Sequence, residues 1–199
     1  MCSNDVKVHP PSDNPSRVPA SGTVPAMDDP VSTEHAGITR FREALAARGG
    51  TGRVVVLPEG VHTAAVAAQA LGCEVGAIAN SLLFAVPAAA DAGPGGEDTP
   101  LLLLTSGAHR VDTEAVAARI GVPALRRASP DLVRRHTGQV IGGVSPLGHP
   151  APVPTYLDPW LRRHAVVWAA AGHPAAVFST TAEELLRMTG AVEVEVEGG

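Results

Sequence analysis

The 199-residue sequence has a single lysine, Lys7. Schiff-base and lysine-general-base mechanisms are therefore excluded from the rest of the chain. Aromatic residues make up only 3%, so the core must be filled by alanine, valine and leucine. That supply suits a sheet covered by small helices better than an aromatic-rich sandwich. Cys2 and Cys73 are the only cysteines. Cys2 sits in a polar, proline-rich stretch, so a structural disulfide is not expected and a reducing, cytoplasmic location is. No apolar run approaches the ~18 residues of a membrane span. The N-terminus has no apolar segment of the secretory kind. There is no GxGxxG and no phosphate loop, which removes support for a nucleotide cofactor. The eight histidines make neither HxH nor HExxH, and there is no CxxC. No metal or other cofactor is expected on those spacings.

What is present points to one globular domain. The chain is 45% hydrophobic, enough for a single core. Its net charge is −5, which argues against bulk affinity for nucleic acid. The distribution is uneven, however. Residues 107–163 hold eight arginines against Asp112, Glu114, Asp131 and Asp158, a local excess of +4. Solvated helix faces and a basic surface for a phosphate-bearing partner both fit that excess.

Residues 1–33 carry six prolines and few large apolar side chains, the composition of a disordered tail. Residues 34–199 read as the folded domain. Helices are expected at 34–48, 64–71, from Asp112 to Gly121, after Ser129-Pro130-Asp131, and after Thr180-Thr181. Strands are expected at 53–57, 75–86, 101–105, 153–156, 165–169, 175–178 and 192–196. Residues 75–86 and 101–105 should pair as a hairpin around a flexible connection at 87–100. A turn or short helix is expected at 158–162. Hairpins mixed with crossovers predict an α/β fold with a mixed sheet.

One stretch stands apart: "GQVIGGVSPLGH", residues 138–149. Its start, Gln139-Val140-Ile141, looks strand-like, but four glycines and a proline are too many breakers for a packing strand. Gly142 and Gly143 lack a Cβ, so a ligand can lie against the main chain. The N–H groups of Gly143, Val144 and Ser145 can then act as fixed donors, with Pro146 locking the exit. Such a loop suits a carbonyl oxygen, a developing oxyanion or a phosphate. A tight strand exit with no ligand carries the same punctuation. The GxSxG of a nucleophile elbow is missed by one residue, and Pro146 removes the N–H that follows the serine.

In the order and spacing of four stretches the chain resembles the YbaK/EbsC family of free-standing and prolyl-tRNA-synthetase-associated aminoacyl-tRNA editing domains. The stretches are "AAVAAQALGCEVGAIANSLLF", "RRASPDLVRRHTGQVIGGVSPLGH", "LDPWL" and "AAGHPAAVFSTTAEELLRMTGA". The GxxxP element, Gly142 to Pro146, is the most specific. The resemblance implies a twisted mixed β-sheet curled toward a barrel with surrounding helices. It implies hydrolysis of the ester of a mischarged aminoacyl-tRNA without a protein nucleophile. The implied partners are that tRNA and an aminoacyl-tRNA synthetase. Gly142, Gly143, Val144, Ser145 and Pro146 become the expected catalytic loop. Asn80, Ser81, His149, Asp158 and Gly172 become the expected substrate contacts.

One departure matters. Asn80-Ser81 stands where the family pattern has lysine followed by serine or threonine. Asn80 can donate a hydrogen bond but carries no charge. A deacylase with an altered acyl substrate and a non-catalytic module that binds tRNA or protein both fit this change. Asp158 has a second reading too, as the cap of the turn it begins.

Overall fold

The computed structural model describes residues 35–58, 61, 63–88 and 97–198. The expected tail and most of the 87–100 connection lie outside the described residues. Helix α1 (Ala36–Ala47) buries Ile38, Phe41 and Leu45, one stripe at helical spacing. Strand β1 (Val54–Val56) follows, then α2 (Ala64–Leu71). Thr63 caps α2 through its hydroxyl, and Gly72 ends it in the left-handed conformation at φ 66°. A 3-10 turn at Val75–Ala77 leads into β2 (Ile78–Val86), which pairs antiparallel with β3 (Thr99–Ser106). After α3 (Thr113–Ile120) come β4 (Arg126–Arg127), α4 (Pro130–Thr137) and β5 (Thr155–Leu157). A second 3-10 turn spans Pro159–Arg163. The chain closes with β6 (Val167–His173), β7 (Ala176–Thr180), α5 (Ala182–Thr189) and β8 (Val192–Glu193).

The strands form one mixed sheet in the order β1-β7-β6-β2-β3-β5-β8, with β4 added to β2. The expected α/β fold is present. The sheet does not close, and β1 and β8 are its edges. That explains Val56, which is 62% exposed: an edge strand has one wet side.

Strand β3 shows how the core is divided. Leu102, Leu103 and Leu104 are all fully buried. Leu102 and Leu104 join α1, β6 and β7 in the main cluster, while Leu103 packs with Val116 of α3 on the other face. The period of two thus feeds two cores. A third cluster holds the small side chains of α2, Ala67 and Ala68, against Ile78 and Val177.

Three local expectations shift. The strand expected at 75–86 begins only at Ile78, after the 3-10 turn. The strand expected at 153–156 pairs only over Thr155–Leu157. Of 192–196, only Val192–Glu193 joins the sheet. Val194 and Val196 are nevertheless buried, and Val196 accepts the Asp112 N–H at 2.8 Å.

Candidate functional site

The sheet has a fork. Strand β2 pairs parallel with β6 only at Ile78↔Trp168 and Ala79↔Ala169. It meets β4 only at Phe84↔Arg127 and Ala85↔Arg126. Between these contacts, residues 80–83 have no strand on that side among the described residues. The direction of their backbone groups follows from the antiparallel ladder, in which successive residues face opposite sides. Leu104, opposite Ser81, gives its carbonyl to Asp158 N–H, and Leu102, opposite Leu83, donates to Pro154 O. Both therefore face away from β2, and by pairing so do Ser81 and Leu83 from β3. Leu83 O is taken by Ala128 N–H at 3.3 Å. The Ser81 N–H and C=O are left pointing into the fork.

A cavity of about 560 Å³ fills this fork, walled by Asn80, Ser81 and Leu82 of β2, Gly142 and Val144 of the loop, and Ala67 of α2. Alternation sets the two β2 polar side chains apart. Ser81 shares its face with Ala79 and Leu83, which pack with Val144. Asn80 lies on the face of Ile78, toward α2. The Ser81 hydroxyl oxygen is buried and has no hydrogen-bond partner among the described residues. Leaving such a group unpaired costs about 1–3 kcal/mol.

The loop is held from inside. Gly138 ends α4 at φ 67°, and the chain turns so that Gln139 points inward. Gln139 Oε1 accepts the Ser145 N–H at 2.7 Å. Gln139 Nε2 donates to Ser145 Oγ at 2.9 Å. Ser145 Oγ donates to Leu147 O at 2.6 Å, and Gly143 N–H donates to Val140 O at 3.0 Å. This corrects the expectation of three free donors: Gly143 and Ser145 spend theirs within the loop. Among the described residues the N–H groups of Gly142 and Val144 have no acceptor, and both residues line the cavity. Gly142 is the residue that opens the main chain. It sits at φ 90°, and a Cβ there would meet nothing nearer than 4.0 Å. At Gly143 a Cβ would lie 2.7 Å from Pro174 N, so that glycine lets the loop rest on the β6–β7 turn. Pro146, which has no N–H, follows Ser145 at the loop exit.

Three expected substrate contacts lie elsewhere. Gly172, at φ 82°, packs against α1: a Cβ there would be 2.4 Å from Gly37 O. It permits helix and strand backbones to touch and lines no part of the cavity. Asp158 is fully buried. It accepts from Ser106 N–H at 3.0 Å, Thr105 Oγ1 at 3.3 Å, His109 Nδ1 at 2.8 Å and Trp160 N–H at 2.9 Å. It is the cap of the second 3-10 turn and a tie to β3. His149 borders a separate cavity of about 390 Å³ beside Arg48 and Pro150. Its Nε2–H donates to Ser145 O at 2.8 Å, so it braces the loop from behind. Among the described residues no histidine is bonded to the Ser145 hydroxyl, whose partners are Gln139 and Leu147. A serine nucleophile has no base here.

Burial lowers the His149 pKa from its ordinary 6.5, and the bond to Ser145 opposes that shift. The unfolded chain therefore takes up a proton that the folded chain refuses. The stability contribution is complete above 6.5 and is lost as pH falls through the interval below it. His149→Gln keeps an N–H for Ser145 O but cannot titrate. The wild-type melting temperature should drop more than the variant's between about pH 7.5 and about pH 5.5. Equal drops would show that His149 carries none of this dependence.

Sequence reasoning missed two residues. Gln139 is the inner brace of the loop. Its signal was a lone amide between a helix-ending glycine and an apolar pair, read as the start of a strand. Arg127, seen only as part of a charge run, lines a cavity that adjoins the fork.

Residues 58–188 match the family described as the aminoacyl-tRNA editing domain. Uncharacterized protein YwhH of Bacillus subtilis (strain 168) is 32% identical over 119 residues, which are 60% of this chain and 69% of that one. Among solved structures, a proposed trans-editing enzyme for prolyl-tRNA synthetase is 42% identical. Its TM-score is 0.73, over 83% of this chain and 99% of that one. A scaffold protein used for computational epitope grafting is 40% identical with a TM-score of 0.71, over 82% and 99% of the two chains.

Proposed function

The chain belongs to the aminoacyl-tRNA editing domain family, and on that premise we propose that it is a trans-acting deacylase of mischarged aminoacyl-tRNA. The observation that carries this reading is the fork. It sets the unladdered backbone of Ser81 and its unpartnered hydroxyl beside a loop with two uncommitted N–H groups, Gly142 and Val144. Water attacks the ester carbonyl. The carbonyl oxygen gathers charge under the Gly142 and Val144 donors, as an oxyanion hole requires. The new C–O bond forms, the ester C–O bond breaks, and the proton ends on the departing ribose oxygen. Ser81 orients the attacking water or the substrate amine. Asn80, in place of the family's lysine, contacts the substrate as a neutral donor. No protein nucleophile is needed, and the Ser145 hydroxyl is committed to the loop.

The test is hydrolysis of a panel of mischarged tRNAs by the purified protein and by Ser81→Ala. At least one ester should be cleaved by the wild type. In the variant kcat/KM should fall about tenfold, equivalent to ~1.4 kcal/mol. Because the hydroxyl is unpaired in the free protein, its removal should leave the melting temperature unchanged or raise it. A lowered melting temperature with unchanged kinetics would make Ser81 a packing residue. A wild type inert on the whole panel would favour the non-catalytic binding module, the reading that the loss of lysine at position 80 supports.

A further inference from the structure

The fork cavity is one of two that meet at the loop. A second, of about 330 Å³, shares Ser81, Leu82, Ile141, Gly142 and Val144 with the first. The two differ in chemistry. Among the described residues no charged side chain lines the first cavity, whose far walls include Ala64, Ala67, Ala170 and Trp168. The second has apolar walls at Phe84, Ala128 and Val133 and one charged side chain, Arg127.

Arg127 is fixed in place by its backbone. Strand β4 pairs it with Phe84, so its side chain starts from the sheet rather than from a mobile turn. It is exposed and has no hydrogen bond or ion pair among the described residues. The surroundings are basic: Arg126 precedes it on β4, and α4, which supplies Val133 to the cavity wall, carries exposed Arg134 and Arg135. The acidic side chains there are Asp131, in the first turn of α4, and Glu97, 3.6 Å from Arg135.

We propose that the Arg127 cavity receives the 3′-terminal nucleotide of the RNA, and that the uncharged cavity receives the acyl group. The inference rests on the deacylase reading and gives its substrate a direction. An aminoacyl ester has two unlike halves. One is an anionic nucleotide with a flat base; the other carries no phosphate. A free guanidinium presents planar, paired donors that match phosphate oxygens, and the apolar walls beside it suit the face of a base. The ester then lies where the cavities join, at Ser81, Gly142 and Val144. Arg127 thereby restores a positive charge to a site that has asparagine where the family has lysine, but on the nucleotide side.

The probe is a short unacylated RNA ending in CCA-3′, titrated against full-length protein at several salt concentrations. Arg127→Ala should weaken binding about tenfold and flatten the slope of log K against log[salt] by about 0.7, the share of one single-strand phosphate. Arg127→Lys should recover the slope and Arg127→Gln should not. Ala170→Val, which narrows the uncharged cavity, should change the ranking of acyl groups in the deacylation panel and leave RNA affinity as it was. An Arg127→Ala protein that binds the RNA with wild-type affinity and slope would overturn the proposal, as would a wild type that does not bind it. So would Ala170→Val weakening RNA affinity while Arg127→Ala reorders the acyl groups. If the wild type deacylates while Arg127→Ala binds RNA normally, the direction fails and the deacylase reading stands. If RNA binding depends on Arg127 but no ester is cleaved, the deacylase reading fails and the nucleotide cavity stands.

Discussion

Gly143→Ala should abolish deacylation, while Ser145→Ala should retain most of it. The two residues are neighbours in one loop, but they hold it by different means. A methyl at Gly143 would sit 2.7 Å from Pro174 N and 2.8 Å from His173 C. These are backbone atoms of the β6–β7 turn, and neither can rotate away. The loop must lift, at a cost of about 1–3 kcal/mol for overpacking. The lift carries the Gly142 and Val144 N–H groups with it. Misplacing an oxyanion donor costs on the order of 10²–10³ in rate. Ser145→Ala keeps its N–H bond to Gln139 Oε1 and loses only the hydroxyl. Leu147 O is then left to Gln139 Nε2, already 3.4 Å away. That variant loses two buried hydrogen bonds and should melt lower, by about 1–3 kcal/mol, with nearly full activity per folded molecule. Both need circular dichroism at the assay temperature to establish folding. A dead Ser145→Ala beside an active Gly143→Ala would defeat the backbone-donor mechanism.

The elements that depend on neighbours in sequence were legible in advance. Thr63, Asp112, Ser129 and Thr181 each cap a helix with a side-chain oxygen, and Gly72, Gly121, Gly138 and Gly190 each end one in the left-handed region. Capping is chemistry within one turn, so it is written locally. The hairpin of β2 and β3 was legible for the same reason. The fork was not. Where β6 leaves β2 depends on pairing between residues about ninety positions apart, and nothing in "ANSLL" marks Ser81 as unladdered. The loop was recognised by its glycines, but the assignment of its donors was not, because Gln139 reaches back into it by a side chain that propensity reads as strand. Gly172 was misread because a glycine freed for a ligand and one freed for a packing helix look alike; the deciding partner, Gly37, lies on α1.

Asp158→Ala should be the most destabilising single change outside the apolar core, and it should leave the chemistry intact. The carboxylate is fully buried and accepts from two backbone N–H groups, a hydroxyl and an imidazole. Alanine would leave Ser106 N–H, Trp160 N–H and His109 Nδ1 without that acceptor in a space water does not fill by right. Leaving those buried donors unpaired costs about 1–3 kcal/mol each, together a large part of the ~5–15 kcal/mol that a domain has. For a chain of this size the melting temperature should fall on the order of 10 °C. Asp158→Asn should fall between, since its carbonyl can still accept from one side while its NH₂ faces donors on the other. None of these groups lines the fork. Deacylation measured well below the transition should therefore track the folded fraction, with KM unchanged. The link that could defeat this is short: Asp158 N–H holds Leu104 O, and Leu104 is paired with Ser81. A fall in kcat beyond the loss of folded protein would mean that the register of β3 sets the position of Ser81, and would return Asp158 to the site as a positioning residue.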